Sequence, residues 1–104
     1  MIYCVNDGAV MKAWKKAQGV TDPLITFLAD KACEFTEAVG MCIEHPGPKG
    51  VLGNVRCKRF VLVVEDGVVK SVAVSEAPDD PTGDADPAGK VTAPTLAENV
   101  LALL

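Results

Sequence analysis

The sequence has few aromatic side chains, no excess of positive charge and no long apolar run, and each shortage removes a class of answer. Aromatics make up 5% of the 104 residues, so aliphatic side chains are expected to fill the core. Ten Lys and Arg stand against 14 Asp and Glu, a net charge of −4. A nucleic-acid surface needs a basic excess, and none is present. No apolar stretch reaches the roughly 18 residues of a membrane span. No basic segment followed by an apolar one marks a secretory leader. The four cysteines, Cys4, Cys33, Cys42 and Cys57, include no Cys-x-x-Cys. No internal repeat is visible.

What remains is a chain that is 49% hydrophobic and long enough for one core. A single domain over residues 1–104 is expected. Four cysteines in a small secreted protein imply two disulfides. Without a leader, and with enough aliphatic content to fold unstapled, a reducing cytoplasmic compartment is the better expectation.

Residues 2–5 form an apolar strand segment. Asn6-Asp7 supplies a helix N-cap, and Val10, Met11, Trp14 and Ala17 recur at helical spacing until Gly19. Thr21-Asp22-Pro23 reads as a turn and residues 24–29 as a second strand. Asp30 caps a second helix, with Phe35, Ala38, Val39 and Cys42 on one face. Residues 45–50, with two prolines and two glycines, read as a loop. Residues 59–65 are continuously apolar after Arg59, the pattern of a strand buried on both faces. Asp66-Gly67 is a strong hairpin signal, and residues 68–74 return antiparallel. An acidic loop follows over 77–89. A last helix starts near Thr95, where Thr95 and Glu98 have capping-box spacing. Leu96, Val100, Leu101 and Leu104 form its apolar face. Parallel strands joined by helices, followed by an antiparallel hairpin, make an α/β layout.

A chain that starts within a strand is expected to be part of a longer domain. Several stretches then carry chemistry. Arg56, Cys57, Lys58 and Arg59 sit at the mouth of the strand over 59–65, where charge is costly unless solvated, paired or put to use. Cys57 has three basic neighbours that can lower its pKa, against an inert strand thiol beside solvated charges. Cys33 falls in the first turn of the second helix, where a thiolate is favoured, against a plain surface thiol. Cys42 on the apolar stripe reads as a packing residue. Cys42-x-x-His45 has ligand spacing but no second pair nearby, so His45 reads as a loop cap and no metal is expected. Asp79, Asp80, Asp84 and Asp86 lack the pattern of a calcium loop and read as solvated. Trp14 reads as core first and interface second.

The chain resembles the peroxiredoxins, in particular the type II, peroxiredoxin-5-like, atypical two-cysteine class. Val5-Asn6-Asp7 followed by Val10-Met11-Lys12-Ala13-Trp14 carries the first part. Phe27-Leu28-Ala29-Asp30 before a helix with Phe35 carries the second. Gly53-Asn54 to Lys58-Arg59-Phe60, the Asp66-Gly67 turn and the Pro/Asp-rich loop complete it. The resemblance implies a thioredoxin-like fold, without cofactor, and a thiol peroxidase that reduces hydrogen peroxide and alkyl hydroperoxides. Thioredoxin or glutaredoxin with glutathione is the implied reductant, and a homodimer is possible in that class. It also implies that Arg59 steadies the thiolate and the peroxide, leaving Arg56 and Lys58 as solvated neighbours. Some members place a resolving cysteine near Cys4, although the matching position here is Ile2. The family's nucleophile lies in a Pro-x-x-x-Thr-x-x-Cys loop, and no such motif occurs in these 104 residues. The resemblance therefore covers the C-terminal two-thirds of a peroxiredoxin. A non-catalytic module, binding a partner or a second copy through an open sheet edge, is the alternative.

Overall fold

In the computed structural model, residues 1–82 and 91–104 are described; Asp84 and Asp86, and most of the acidic loop, lie outside them. The order is β1 (Ile2–Cys4), α1 (Gly8–Ala17), β2 (Phe27–Ala29), α2 (Glu34–Ala38), α3 (Pro46–Leu52), β3 (Arg59–Glu65), β4 (Val68–Ser75), a 3-10 turn (Ala93–Thr95) and α4 (Ala97–Leu101). β1 and β2 pair in parallel, with Tyr3 opposite Leu28. β3 and β4 pair antiparallel, with Arg59 opposite Ser75 and a register shift at Val63/Val64. Among the described residues these are two separate two-stranded sheets.

Tyr3 links the two. Its ring meets Phe35 of α2 edge-on at 4.9 Å and Phe60 of β3 at 5.7 Å. Its hydroxyl shares a 3.2 Å hydrogen bond with Thr36 Oγ1. The few aromatics are thus concentrated where the sheets meet, beside an aliphatic core of Val5, Met11, Ile43 and Ala73.

Local chemistry explains where the elements form. Asp7 caps α1, its Oδ1 accepting from Val10 N at 2.9 Å. Lys15 and Lys16 stand in the last turn, where the helix dipole favours cations. Trp14 packs edge-on against Phe27 at 5.3 Å yet stays 41% exposed, so it borders the core rather than filling it. The hairpin turns on two left-handed residues, Asp66 (φ 51°) and Gly67 (φ 76°), which suits the right-handed twist of its strands.

Several expectations need correction. The strand over 24–29 shrinks to Phe27–Ala29, because the Asp22 carboxylate accepts from Leu24 N at 2.8 Å and Asp22 O from Ile25 N, holding the chain in a turn. The loop over 45–50 is a helix. His45 caps it, Nδ1 accepting from Gly47 N at 3.0 Å, and its prolines fall in the first turn, where a missing N–H costs nothing. Gly53 at φ 75° ends it.

The second helix starts later than expected, at Glu34. Asp30 still satisfies its free donors: Oδ1 accepts from Phe35 N at 3.2 Å, and Oδ2 from Thr36 N at 2.9 Å and Thr36 Oγ1 at 2.7 Å. Gly40 (φ 69°) turns the chain before Cys42, which therefore lies off the helical stripe of Phe35 and Val39. β3 is not buried on both faces, since Val64 is 54% exposed. The Thr95/Glu98 capping box does not form. Leu96 is the cap residue of α4, Thr95 turns to other partners, and Leu101 and Leu104 remain exposed.

Candidate functional site

The basic cluster before β3 divides into three separate roles. Arg56 turns inward. Its Nη1 donates to the carbonyl oxygen of Val5 and, at 3.2 Å, to Asn6 Oδ1, while its buried Nε has no partner. The expectation that Arg56 is merely solvated is thus overturned. Lys58 pairs with Glu76 at 3.0 Å, so it too is partnered rather than simply solvated. Arg59 stands exposed at the first position of β3, and its Nε donates to Thr95 Oγ1 at 2.9 Å. Thr95 Oγ1 in turn meets Ser75 Oγ at 2.8 Å. Ser75 is fully buried and opposite Arg59 in the ladder. A hydroxyl chain rooted in β4 thereby fixes the guanidinium at the strand mouth.

Cys4 ends β1 next to this loop. Asn6 Nδ2 donates to its sulfur at 3.5 Å. The neighbouring Cys57 thiol is the strongest influence and draws the Cys4 thiol down to about 6. Burial opposes this, and Asn6, the backbone at Val5 and the Arg56 charge add to it. Cys57 moves the other way, well above the ordinary thiol range, through the same contact and through burial. The contact thus pushes the two thiols apart, Cys4 downward and Cys57 upward. The guanidinium beside Cys4 is that of Arg56; the partner of Arg59 described above is Thr95.

Cys57 lies ahead of β3, where it bridges to Cys42 through the backbone. It does not occupy a β3 strand face shared with Arg59, because β3 begins at Arg59 itself. Cys33 is a buried cap residue with φ 62°, not a surface thiol in a first helical turn. Its Sγ lies 3.8 Å from that of Cys42. Burial, with Cys33 beside it, pushes the Cys42 thiol up to about 11. Among the described residues no group of three or more His, Cys, Asp or Glu is placed to hold a metal.

Nothing in the spacing of the sequence brings residue 56 to residue 5, or residue 57 to residue 4. The only hint was the cost of four polar side chains beside an apolar strand, which implied that at least one would find a buried partner.

The family model for redoxins matches residues 1–90. The chain belongs to the redoxin family. Most of the similar proteins are named peroxiredoxins. This redoxin is 39% identical over 72 residues to the chloroplastic peroxiredoxin-2E-2 of Oryza sativa subsp. japonica, covering 69% of this chain and 32% of that one. It is 39% identical over 87 residues to the peroxisomal membrane associated protein 20 of Schizosaccharomyces pombe, covering 82% and 54%. Reduced Prx3 from Vibrio vulnificus, solved in complex with hydrogen peroxide, matches with a TM-score of 0.69 at 33% identity, over 96% of this chain and 51% of that one. The redoxin thus spans from about a third to about half of these relatives' lengths. Its fold is the thioredoxin-like fold of the peroxiredoxins, with a parallel strand pair, a hairpin and helices packed on them. Among the described residues no helix is long and apolar enough to cross a membrane.

Proposed function

We propose that this redoxin serves as the arginine-bearing, resolving-thiol portion of a peroxiredoxin-type thiol peroxidase acting on hydrogen peroxide and alkyl hydroperoxides. The observation that supports it most is the position of the Cys4 sulfur at the end of β1, where it accepts from Asn6 Nδ2 and has its pKa lowered beside Cys57, near the loop that carries the family's basic motif.

The chemistry runs in two steps. A peroxidatic thiolate attacks one oxygen of the O–O bond, which breaks; the sulfur becomes a sulfenic acid and the other oxygen leaves as water or alcohol after taking up a proton. Arg59, fixed by Thr95, steadies the negative charge that develops on the departing oxygen. The Cys4 thiolate then attacks the sulfenic sulfur, a disulfide forms and hydroxide leaves as water. Thioredoxin, or glutaredoxin with glutathione, returns both sulfurs to thiols by exchange. The first thiolate belongs to a Pro-x-x-x-Thr-x-x-Cys loop in the family, a motif that these 104 residues do not contain. A single domain in a reducing intracellular compartment, cytoplasmic or organellar, fits this role.

A second reading has its own support. Each strand of the two pairs has one edge without a strand partner among the described residues. Such edges accept a further strand, so the chain also suits a non-catalytic module completed by a partner or a second copy. Peroxide consumption with a thiol reductant, by the chain combined with a separately made segment that carries the Pro-x-x-x-Thr-x-x-Cys loop, separates the readings. Turnover above the free-thiol background that falls about 100-fold in Arg59→Ala, and is lost in Cys4→Ser, supports the peroxidase. Background turnover in that mixture that neither substitution changes overturns it.

A further inference from the structure

Cys33 and Cys42 take no part in the site around Cys4. They flank α2, one just before it and one after the Gly40 turn. Their sulfurs lie 3.8 Å apart, in van der Waals contact. A disulfide needs about 2.05 Å between sulfurs, so the two must close by less than about 2 Å.

The backbone on both sides is held. Cys33 N donates to Asp30 O at 3.0 Å, and Cys33 O accepts from Glu37 N at 2.9 Å. Cys42 sits in a backbone bridge with Cys57, reinforced by Ile43 N to Arg56 O and Lys58 N to Met41 O, both 2.8 Å. Two sulfurs presented this way meet at a high effective concentration.

The two thiols differ in access. Cys33 is 7% exposed. Cys42 is half-buried and lines a cleft of about 420 Å³ together with Glu37, Glu44 and Lys49. Two carboxylates against one ammonium leave that mouth negative, which disfavours an anionic reactant and admits a neutral or cationic one.

We propose that Cys33 and Cys42 form a dithiol–disulfide couple that exchanges with a small neutral or cationic disulfide entering over Cys42. Cys42, once it has given up its proton to solvent, attacks one sulfur of the incoming disulfide, whose S–S bond breaks, and one thiolate leaves and takes up a proton, a step that quickens as pH rises. The Cys33 thiolate then attacks the Cys42 sulfur of the mixed disulfide and expels the second thiolate, which is protonated in turn. Two protein thiols are oxidised and one small disulfide is reduced to two thiols. The product ties the start of α2 to the strand-like segment at Cys42. Because Phe35 and Thr36 of α2 hold Tyr3, the tie also clamps the helix that seats β1.

The couple is independent of the peroxidase reading, and one digest tells the two apart. Trypsin leaves Cys33 and Cys42 together in residues 32–49, whereas Cys4 lies in residues 1–12 and Cys57 in residues 57–58. The full chain is incubated with cystamine or with oxidised glutathione, quenched in acid, alkylated, digested and weighed. The expected result is peptide 32–49 lighter by two hydrogens and unalkylated, formed faster with cystamine, and retained in the Cys4→Ser/Cys57→Ser double variant. Cys33→Ser should accumulate about tenfold more mixed disulfide on Cys42, having lost the thiol that displaces it. Peptide 32–49 that stays doubly alkylated, or that carries the small thiol on both cysteines, would overturn the proposal, and this readout on the unaltered chain requires no variant to fold. Equal rates with the two disulfides would overturn the acidic cleft as the way in.

Discussion

Arg56 Nη1 donates to the carbonyl oxygen of Val5, 51 residues earlier in the chain, and so fastens the loop before β3 to the end of β1. The two sheets have no strand pairing between them among the described residues, and this contact and the Tyr3 ring connect them. Both bonds, to Val5 and to Asn6, leave the one Nη1 at the tip of a planar guanidinium, and the shorter lysine side chain does not place its ammonium there. Arg56→Lys is expected to cost about 1.5–3 kcal/mol, the range for hydrogen bonds to a charged group. Urea unfolding read by Trp14 fluorescence measures it. A loss as small as that of an exposed Lys12→Ala control would show that the guanidinium is dispensable.

The Cys4 and Cys42 thiols should separate by reactivity. The thiol of Cys4 is drawn down to about 6 and that of Cys42 pushed up to about 11. Iodoacetamide labels thiolates, so labelling of Cys4 in peptide 1–12 should level off near pH 7 to 8 while labelling of Cys42, sited within peptide 32–49 by fragmentation, still climbs at pH 9. Cys57→Ala removes the largest cause of the Cys4 shift and should move its midpoint upward. Mass spectrometry of timed digests at several pH values reads both midpoints, and coincident profiles would sink the assignment of the lower midpoint to Cys4.

Much of this arrangement was legible where a residue has few alternatives. Asp66-Gly67 needs two left-handed residues and formed the expected turn. Asp7 had a helix directly after it and capped it. The helix at Pro46–Leu52 was missed because Pro and Gly usually interrupt; here His45 and the two prolines occupy first-turn positions where they assist. Leu24–Thr26 looked like strand by hydrophobicity, but the Asp22 side chain competes for that backbone. The inward turn of Arg56 and the meeting of Cys33 with Cys42 depend on how distant segments pack, and no local pattern encodes that.

Asp30 ties stability to pH. Burial alone would raise its carboxyl pKa, but the hydrogen bonds from Thr36 N, Thr36 Oγ1 and Phe35 N outweigh that and hold it below its ordinary 3.8. The unfolded chain therefore binds this proton first as pH falls. The stabilisation is complete above about pH 5 and declines through 3.8 until the lower folded value is passed. Asp30→Asn should lose about 1–2 kcal/mol at pH 7, with the deficit against the native chain shrinking by pH 3. Urea midpoints at pH 7, 5, 4 and 3 test this, and a deficit constant across that range would assign the loss to shape rather than charge.

Thr95 joins the stability of the C-terminal turn to the posture of Arg59. Its hydroxyl meets Arg59 Nε, Ser75 Oγ and Thr92 O. Valine keeps the shape and removes all three contacts. The buried Ser75 hydroxyl retains Thr92 O at 3.3 Å, so it is not left without a partner and the stability cost of Thr95→Val should stay at about 1 kcal/mol. The guanidinium, by contrast, loses the bond that fixes its Nε and gains rotamer freedom. If Arg59 steadies peroxide, Thr95→Val in a chain showing peroxide turnover should lower kcat about tenfold, with KM little changed, because the defect lies in charge placement at the transition state. Thr95→Ser, which restores the hydroxyl, should recover most of the rate. An equal loss in the serine and valine variants would mean that packing at this position, and not the bond to Arg59, sets the rate.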